Sequence, residues 1–200
     1  MNQIESIESL ESLASLQHLN LQGNRLQTFS GKILSNFPAS LRYLQLSNNR
    51  ITFLQNDTFK GQSEVEVVWL NNNALKSIDA DVFVDLINVE KLHLDHNQIT
   101  NIADGAFASM RKLEFLSLEH NPLNHLNADL FSGLERLREL RLSHCEIIGI
   151  EQNVMQNMTE LRILDLSHNQ IYAVKRNILD GISEIEELYL SNVMADDIES

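Results

Sequence analysis

The chain has 200 residues, of which 43% are hydrophobic and 22% charged, so it has enough apolar material for one folded unit and shows no sign of general disorder. Its formal net charge of −13 is spread along the chain. Nucleic acids and anionic membranes require basic surfaces, so we expect neither as a partner. The sequence contains no apolar run of about 18 residues, which predicts that this segment does not insert into a membrane.

One sequence pattern recurs along the chain. Its copies begin, in chain order, at Leu16, Leu41, Val65, Val89, Leu113, Leu137, Leu161 and Ile185, the first interval being 25 residues and the others 24. Each copy reads LxxLxLxxNxL, and we number its positions as places 1 to 11. The alternation around places 4 to 6 is typical of a short strand, which cannot bury its apolar side alone. Copies stacked in parallel, about 4.8 Å apart, would form a continuous core beneath a sheet.

Place 9 is a column of asparagines whose amides can bond the backbone of the turn that leaves each strand. The column comprises Asn24, Asn49, Asn73, Asn97, Asn121 and Asn169, with Cys145 in the sixth copy and Val193 in the eighth. Leaving a buried amide unpaired costs about 1–3 kcal/mol, so we predict a continuous structural ladder.

A second column stands at place 19, in the part of the repeat that follows the strand. It consists of Phe59, Phe83, Phe107 and Phe131, and then Met155 and Leu179. One ring per repeat on the inward side predicts core packing behind the sheet rather than a cofactor channel.

The full unit, LxxLxLxxNxLxxLxxxxFxxLxx, resembles the "typical" leucine-rich repeat of animal extracellular proteins such as chaoptin-like adhesion proteins, Toll-like receptors and the Slit class. The resemblance covers residues 2–198. It implies a curved horseshoe solenoid of about eight repeats, with a parallel concave β-sheet, an irregular or short-helical convex side, and uncapped ends. It also implies adhesion or receptor-type protein recognition through the concave face, at the cell surface or outside the cell.

The two ends differ from the pattern of extracellular members, which usually carry cysteine-rich caps. The chain opens in mid-unit at Asn2, stops in mid-unit after Ile198, and has a single cysteine, so it forms no internal disulfide. We therefore interpret residues 1–200 as one domain, a stretch of a longer ectodomain, with ends that favour self-association. The alternative is a cytoplasmic leucine-rich-repeat scaffold that docks a signalling enzyme.

The candidate binding patch lies on the predicted concave face, at places 3 and 5 of neighbouring copies. Its members are Tyr43, Val67, Trp69, Lys91, His93 and Phe115, and a sparser group follows at Ile163 and Tyr189. Tryptophan and tyrosine are enriched in binding hot spots. The acids Glu66, Glu90 and Glu114 around the patch favour a protein partner that carries basic residues. The alternative interpretation is an ordinary scatter of exposed apolar residues.

Place 8 holds a histidine in four consecutive copies: His96, His120, His144 and His168. A straight row converges poorly on one metal ion, so we predict no metal site. Stacked imidazoles that repel each other when protonated would form a pH-sensitive row. The interpretation we favour is that histidine is simply a common residue at this turn.

The sequence carries no sign of catalysis. It contains no nucleophile elbow, zinc-protease motif, glycine-rich phosphate loop or paired-cysteine motif, so we expect no enzyme activity and no cofactor. Two sequons, at Asn56 and Asn157, predict glycosylation on the flank or convex side.

Overall fold

The computed structural model describes residues 2–7, 13, 15–34, 40–172, 179 and 181–193. Its elements are β1 (His18–Asn20), α1 (Gly31–Leu34), β2 (Tyr43–Gln45), β3 (Val67–Trp69), β4 (Ser77–Ile78), β5 (Lys91–His93), β6 (Asn101–Ile102), β7 (Phe115–Ser117), β8 (His125–Leu126), β9 (Glu139–Arg141), β10 (Gly149–Ile150), β11 (Ile163–Asp165) and β12 (Glu187–Tyr189). The predicted continuation of the repeat to Ile198 lies outside the described residues.

Eight of these strands form one sheet, in the order β1-β2-β3-β5-β7-β9-β11-β12. All neighbours are parallel, and the register places each residue beside the same place of the next copy, as in the run Leu44, Val68, Leu92. The repeat length therefore fixes the register directly. The chain forms the predicted leucine-rich-repeat solenoid with a parallel sheet.

The strands of this sheet cover places 3 to 5 of each copy, and within each strand the side chain at place 4 points into the core. From β2 to β11 the place-4 side chains are fully buried, as are most of those at places 1 and 6. Places 3 and 5 stand on the opposite, concave face. At the far end the burial is weaker, since Leu188 in β12 is 37% exposed whereas Leu164 in β11 is 0% exposed.

The convex half contains the phenylalanine column. The rings of Phe59, Phe83, Phe107 and Phe131 are buried and follow one another at centroid distances of 5.7, 6.1 and 6.5 Å. Beside this column, β4 pairs with β6 and β8 with β10, which are short strand pairs that the sequence analysis did not predict. The described part of the chain contains no helix long and apolar enough to cross a membrane.

Candidate functional site

The asparagine column holds the turns that carry the strand ends. Asn97 is typical: its amide nitrogen donates to the carbonyls of Leu70 (3.0 Å) and Leu94 (2.9 Å), one in each of two adjacent copies. Its oxygen accepts from the backbone N–H of Leu75 at 3.1 Å. Each asparagine therefore links two repeats, and the ladder keeps neighbouring strands in one rigid array.

Cys145 continues the column by a different set of bonds. Its thiol donates to the carbonyl of Leu118 at 3.1 Å, and burial raises its pKa to about 12, so it remains a protonated donor. It offers no amide oxygen, and the N–H of Leu123 donates instead to the Cys145 carbonyl at 3.0 Å. The oxygen of Asn169 accepts from both Cys145 (3.0 Å) and Ile147 (3.0 Å).

Place 8 has a conformational requirement that sequence analysis missed. Its residues all have a positive φ: 70° at Gly23, and between 53° and 56° at Asn48, Asn72, His96, His120, His144, His168 and Asn192. Glycine, asparagine and histidine tolerate this left-handed conformation better than most residues. The glycine and asparagines in the column were the signal that pointed to it. The turn therefore accounts for the residue types at this place.

The four histidines form a stacked row on the exposed edge of the sheet. Their ring centroids are 4.2, 4.4 and 4.2 Å apart, and the interplanar angles are 13°, 7° and 8°. Partial burial, and then the neighbouring rings of His96 and His144, lower the pKa of His120, against the opposing effect of Glu119 and Asp95. The part of the chain that the structure describes contains no cluster of His, Cys, Asp or Glu that could hold a metal ion.

The concave patch contains a row of rings that contact one another. Trp69 stacks on His93 with centroids 5.8 Å apart, and His93 lies 4.7 Å from the Phe115 ring. The guanidinium carbon of Arg141 lies 5.7 Å from the centre of Phe115, which extends the row to β9. His93 thus bridges Trp69 and Phe115, and burial lowers its pKa.

Two expectations about this patch need correction. Val67 is only 7% exposed, because the longer side chains of Tyr43 and Lys91 flank it in the sheet. It therefore lies beneath the surface of the patch and is not an exposed contact residue. Trp69 is half-buried and not fully solvent-facing, since its ring packs on His93. Sequence analysis also missed His18, which stacks on Tyr43 at 4.5 Å and shares its place in the repeat.

A cleft opens between β1 and β3, at the N-terminal end of the concave face; we call it the N-terminal cleft. It measures about 310 Å³ and is lined by His18, Leu19, Asn20, Tyr43, Gln45 and Trp69. The Tyr43 hydroxyl donates to Glu66 at 3.0 Å, and this bond is the main reason why the pKa of Tyr43 is raised. Arg42 pairs with Glu64 at 2.5 Å and lies 3.7 Å from Glu66.

A second cleft, the C-terminal cleft, lies on the same face between β9 and β12. It measures about 240 Å³ and is lined by Glu139, Arg141, Ile163, Asp165, Glu187 and Tyr189. Its polar groups pair with each other: Arg141 donates to Glu139 at 2.6 Å, and the Tyr189 hydroxyl donates to Glu187 at 2.5 Å. Several polar groups of the C-terminal cleft are therefore already hydrogen-bonded to other residues of the chain and are less available to a ligand.

The two sequons differ in their third residue. Asn56 and Asn157 are both exposed. Thr58 is fully buried and its hydroxyl donates to the carbonyl of Phe29 at 3.4 Å, whereas Thr159 is exposed. Packing therefore explains the threonine of the first sequon independently of any glycan.

Comparison with known protein families agrees with this geometry. The model described as "Leucine rich repeat" matches residues 39–99, 87–147 and 142–192, and a second model of that description matches residues 15–39. The chain belongs to the leucine-rich repeat family. No curated protein gives a significant match to its sequence.

Two solved structures are similar to most of this chain. A chain in the crystal structure of the TLR13–ssRNA13 complex is 25% identical with a TM-score of 0.83, over 90% of this chain and 26% of that one. The chain of the Drosophila Toll–Spätzle complex is 25% identical with a TM-score of 0.79, over 88% of this chain and 25% of that one. This chain thus spans about a quarter of either relative. Family and neighbours support a recognition module built of repeats.

Proposed function

We propose that this chain is the protein-recognition segment of a cell-surface or extracellular leucine-rich-repeat protein, and that it binds its partner through the N-terminal half of the concave face, by which we mean strands β1 to β7 in the order of the sheet. The observation that carries the proposal is the row formed by Trp69, His93 and Phe115, whose rings contact each other across three strands and remain partly exposed. Preorganised rings lose little conformational freedom when they are covered, which is why aromatic anchors dominate binding energy.

The charge around the row favours a basic protein partner. Glu64, Glu66 and Glu90 flank the N-terminal half, and the whole chain has a net charge of −13. Such a field attracts cationic side chains and repels phosphates. The single-stranded RNA in the TLR13 complex is a ligand of TLR13, and we do not transfer it to this chain. For this chain we propose a protein ligand, and sensitivity of binding to ribonuclease is the outcome that would contradict it.

The extracellular placement rests on the similarity to Toll-type chains and on the exposed sequon at Asn157. The intracellular scaffold remains the alternative, because the single cysteine is compatible with a reducing compartment. When the chain is secreted from animal cells, we expect Asn157 to carry a glycan. The check is a gel shift on glycosidase treatment that is reduced in Asn157→Gln. A chain without any glycan would remove this support.

The partner is sought by immobilising the chain and probing detergent extracts of cell surfaces and secreted proteins, with identification by mass spectrometry. Trp69→Ala, with Tyr189→Ala at the opposite end of the sheet as the matched control, decides whether a captured protein uses the proposed surface. Capture that survives ribonuclease and fails only for Trp69→Ala supports the proposal. Capture of cytosolic enzymes alone would favour the intracellular alternative.

A further inference from the structure

The N-terminal cleft is lined by two large rings, those of Tyr43 and Trp69. Each ring also stacks on a histidine: Tyr43 on His18 with centroids 4.5 Å apart, and Trp69 on His93 with centroids 5.8 Å apart. These contacts restrict the movement of both rings. At about 310 Å³ the cleft is at the small end of ligand pockets, which suits a single side chain better than a larger ligand.

Two amide side chains line the cleft, and one of them is unpartnered. Asn20 and Gln45 stand at place 5 of β1 and β2. The Asn20 oxygen accepts from the backbone N–H of Gln22 at 3.0 Å, whereas the Gln45 amide has no hydrogen-bond partner among the described residues. No lysine or arginine is found among the described residues that line the cleft. The Gln45 oxygen is therefore available to accept a hydrogen bond from an incoming group.

The surrounding charge is negative. Glu64, Glu66 and Glu90 are near Tyr43 and its neighbour Arg42, and the Arg42 guanidinium is already paired with Glu64 and Glu66. The hydrogen bond and charge of Glu66 disfavour ionisation of Tyr43, and the same field favours a cation placed against the ring.

A contact within the chain illustrates an arginine bound in a similar environment. Arg141, on β9, lies over the ring of Phe115 on the neighbouring strand β7 at 5.7 Å, and it donates to Glu139. The N-terminal cleft offers the same ingredients, a ring, a nearby carboxylate and a free acceptor, without an arginine of its own.

We propose that the N-terminal cleft binds the guanidinium group of an arginine side chain, supplied by the protein partner of the proposed function. The planar guanidinium packs against the Tyr43 and Trp69 rings and donates to the Gln45 amide oxygen. Lysine carries the same charge but lacks the flat face, and a leucine would leave the acceptors unpaired.

The test uses the chain's single tryptophan, Trp69, whose fluorescence reports directly on the cleft. The probe is the blocked tripeptide Gly-Arg-Gly, compared with versions in which citrulline, lysine or leucine replaces the arginine. Citrulline keeps the shape and loses the charge. We expect a saturable change with the arginine peptide, and an affinity lower by about tenfold or more with citrulline.

Variants locate the response. Tyr43→Leu removes one of the two large rings that line the cleft and should abolish the saturable change. Tyr189→Leu, at the other end of the sheet, should leave it intact. An equal response to citrulline or leucine, or a response that survives Tyr43→Leu, would overturn the arginine assignment. Failure here, with a partner whose binding still depends on Trp69, would reject the arginine cleft and leave the proposed function standing.

Discussion

The two halves of the concave face are built from the same strands, yet they present opposite surfaces. In the N-terminal half, places 3 and 5 are mostly rings and amides, and the Gln45 amide in the cleft has no hydrogen-bond partner among the described residues. In the C-terminal half, strands β9 to β12, the same places include charged residues that are bonded within the chain: Glu139 to Arg141, Asp165 to Ser167, and Glu187 to Tyr189. The shared scaffold therefore does not determine function. The side chains at places 3 and 5 of each repeat determine which half can bind a ligand.

The largest effect is expected from making the N-terminal half resemble the C-terminal half. Gln45→Arg introduces an arginine at the place that Arg141 occupies four strands further along the sheet. The new guanidinium should occupy the cleft and remove the fluorescence response to the arginine peptide. Partner affinity should fall by about tenfold or more. An unchanged peptide affinity, measured in the same titration, would mean that the cleft is not the arginine site.

The second expectation concerns the scaffold that both halves share. Asn97→Ala leaves the buried N–H of Leu75 and two carbonyls without their partner, which should lower the free energy of unfolding by about 1–3 kcal/mol. Denaturant unfolding measures this. Cys145→Asn should be tolerated better than Cys145→Leu, because leucine is larger and cannot donate to the Leu118 carbonyl. Equal stability of all three variants would refute the ladder.

The smallest effect is a pH dependence of the histidine row, which runs along the sheet edge across both halves. The folded-state pKa of His120 is lowered from its ordinary value of 6.5, so the unfolded state binds the proton more tightly. The contribution of His120 to stability is therefore fully present above pH 6.5 and is lost progressively as the pH falls through the lowered folded-state pKa. Histidine NMR should show His120 titrating below 6.5.

His120→Asn is the matched control, because asparagine already occupies the same left-handed position at Asn48 and Asn72. It should reduce the loss of stability in acid without altering the turn. Four independent, unshifted titrations would mean that the row has no pH-sensitive behaviour.

Sequence periodicity was sufficient for the solenoid. A repeat of 24 residues fixes the register, the buried places 4 and 6, and the phenylalanine column, because each depends only on local pattern and stacking. The positive φ at place 8 was readable in principle from Gly23 and the asparagines. The short strands on the flank, β4 with β6 and β8 with β10, carry no comparable signal.

The site was less predictable, since it depends on how neighbouring side chains cover each other. The burial of Val67 between Tyr43 and Lys91 follows from their relative lengths and rotamers, which the repeat pattern does not encode. The contacts of His18 with Tyr43 and of Arg141 with Phe115 likewise depend on side-chain conformations that the repeat pattern does not specify. Whether a cleft is open or filled by its own ion pairs is a property of the packed surface alone.

The central claim, that the N-terminal half of the concave face is the recognition surface, is tested most directly by one paired affinity measurement. For a captured partner, the dissociation constants of Trp69→Ala and Tyr189→Ala are compared with that of the unmodified chain. We expect Trp69→Ala to lose about 2 kcal/mol, roughly thirtyfold in affinity, and Tyr189→Ala to change it little. Loss confined to Tyr189→Ala, with Trp69→Ala binding normally, would contradict the account and place recognition in the C-terminal half.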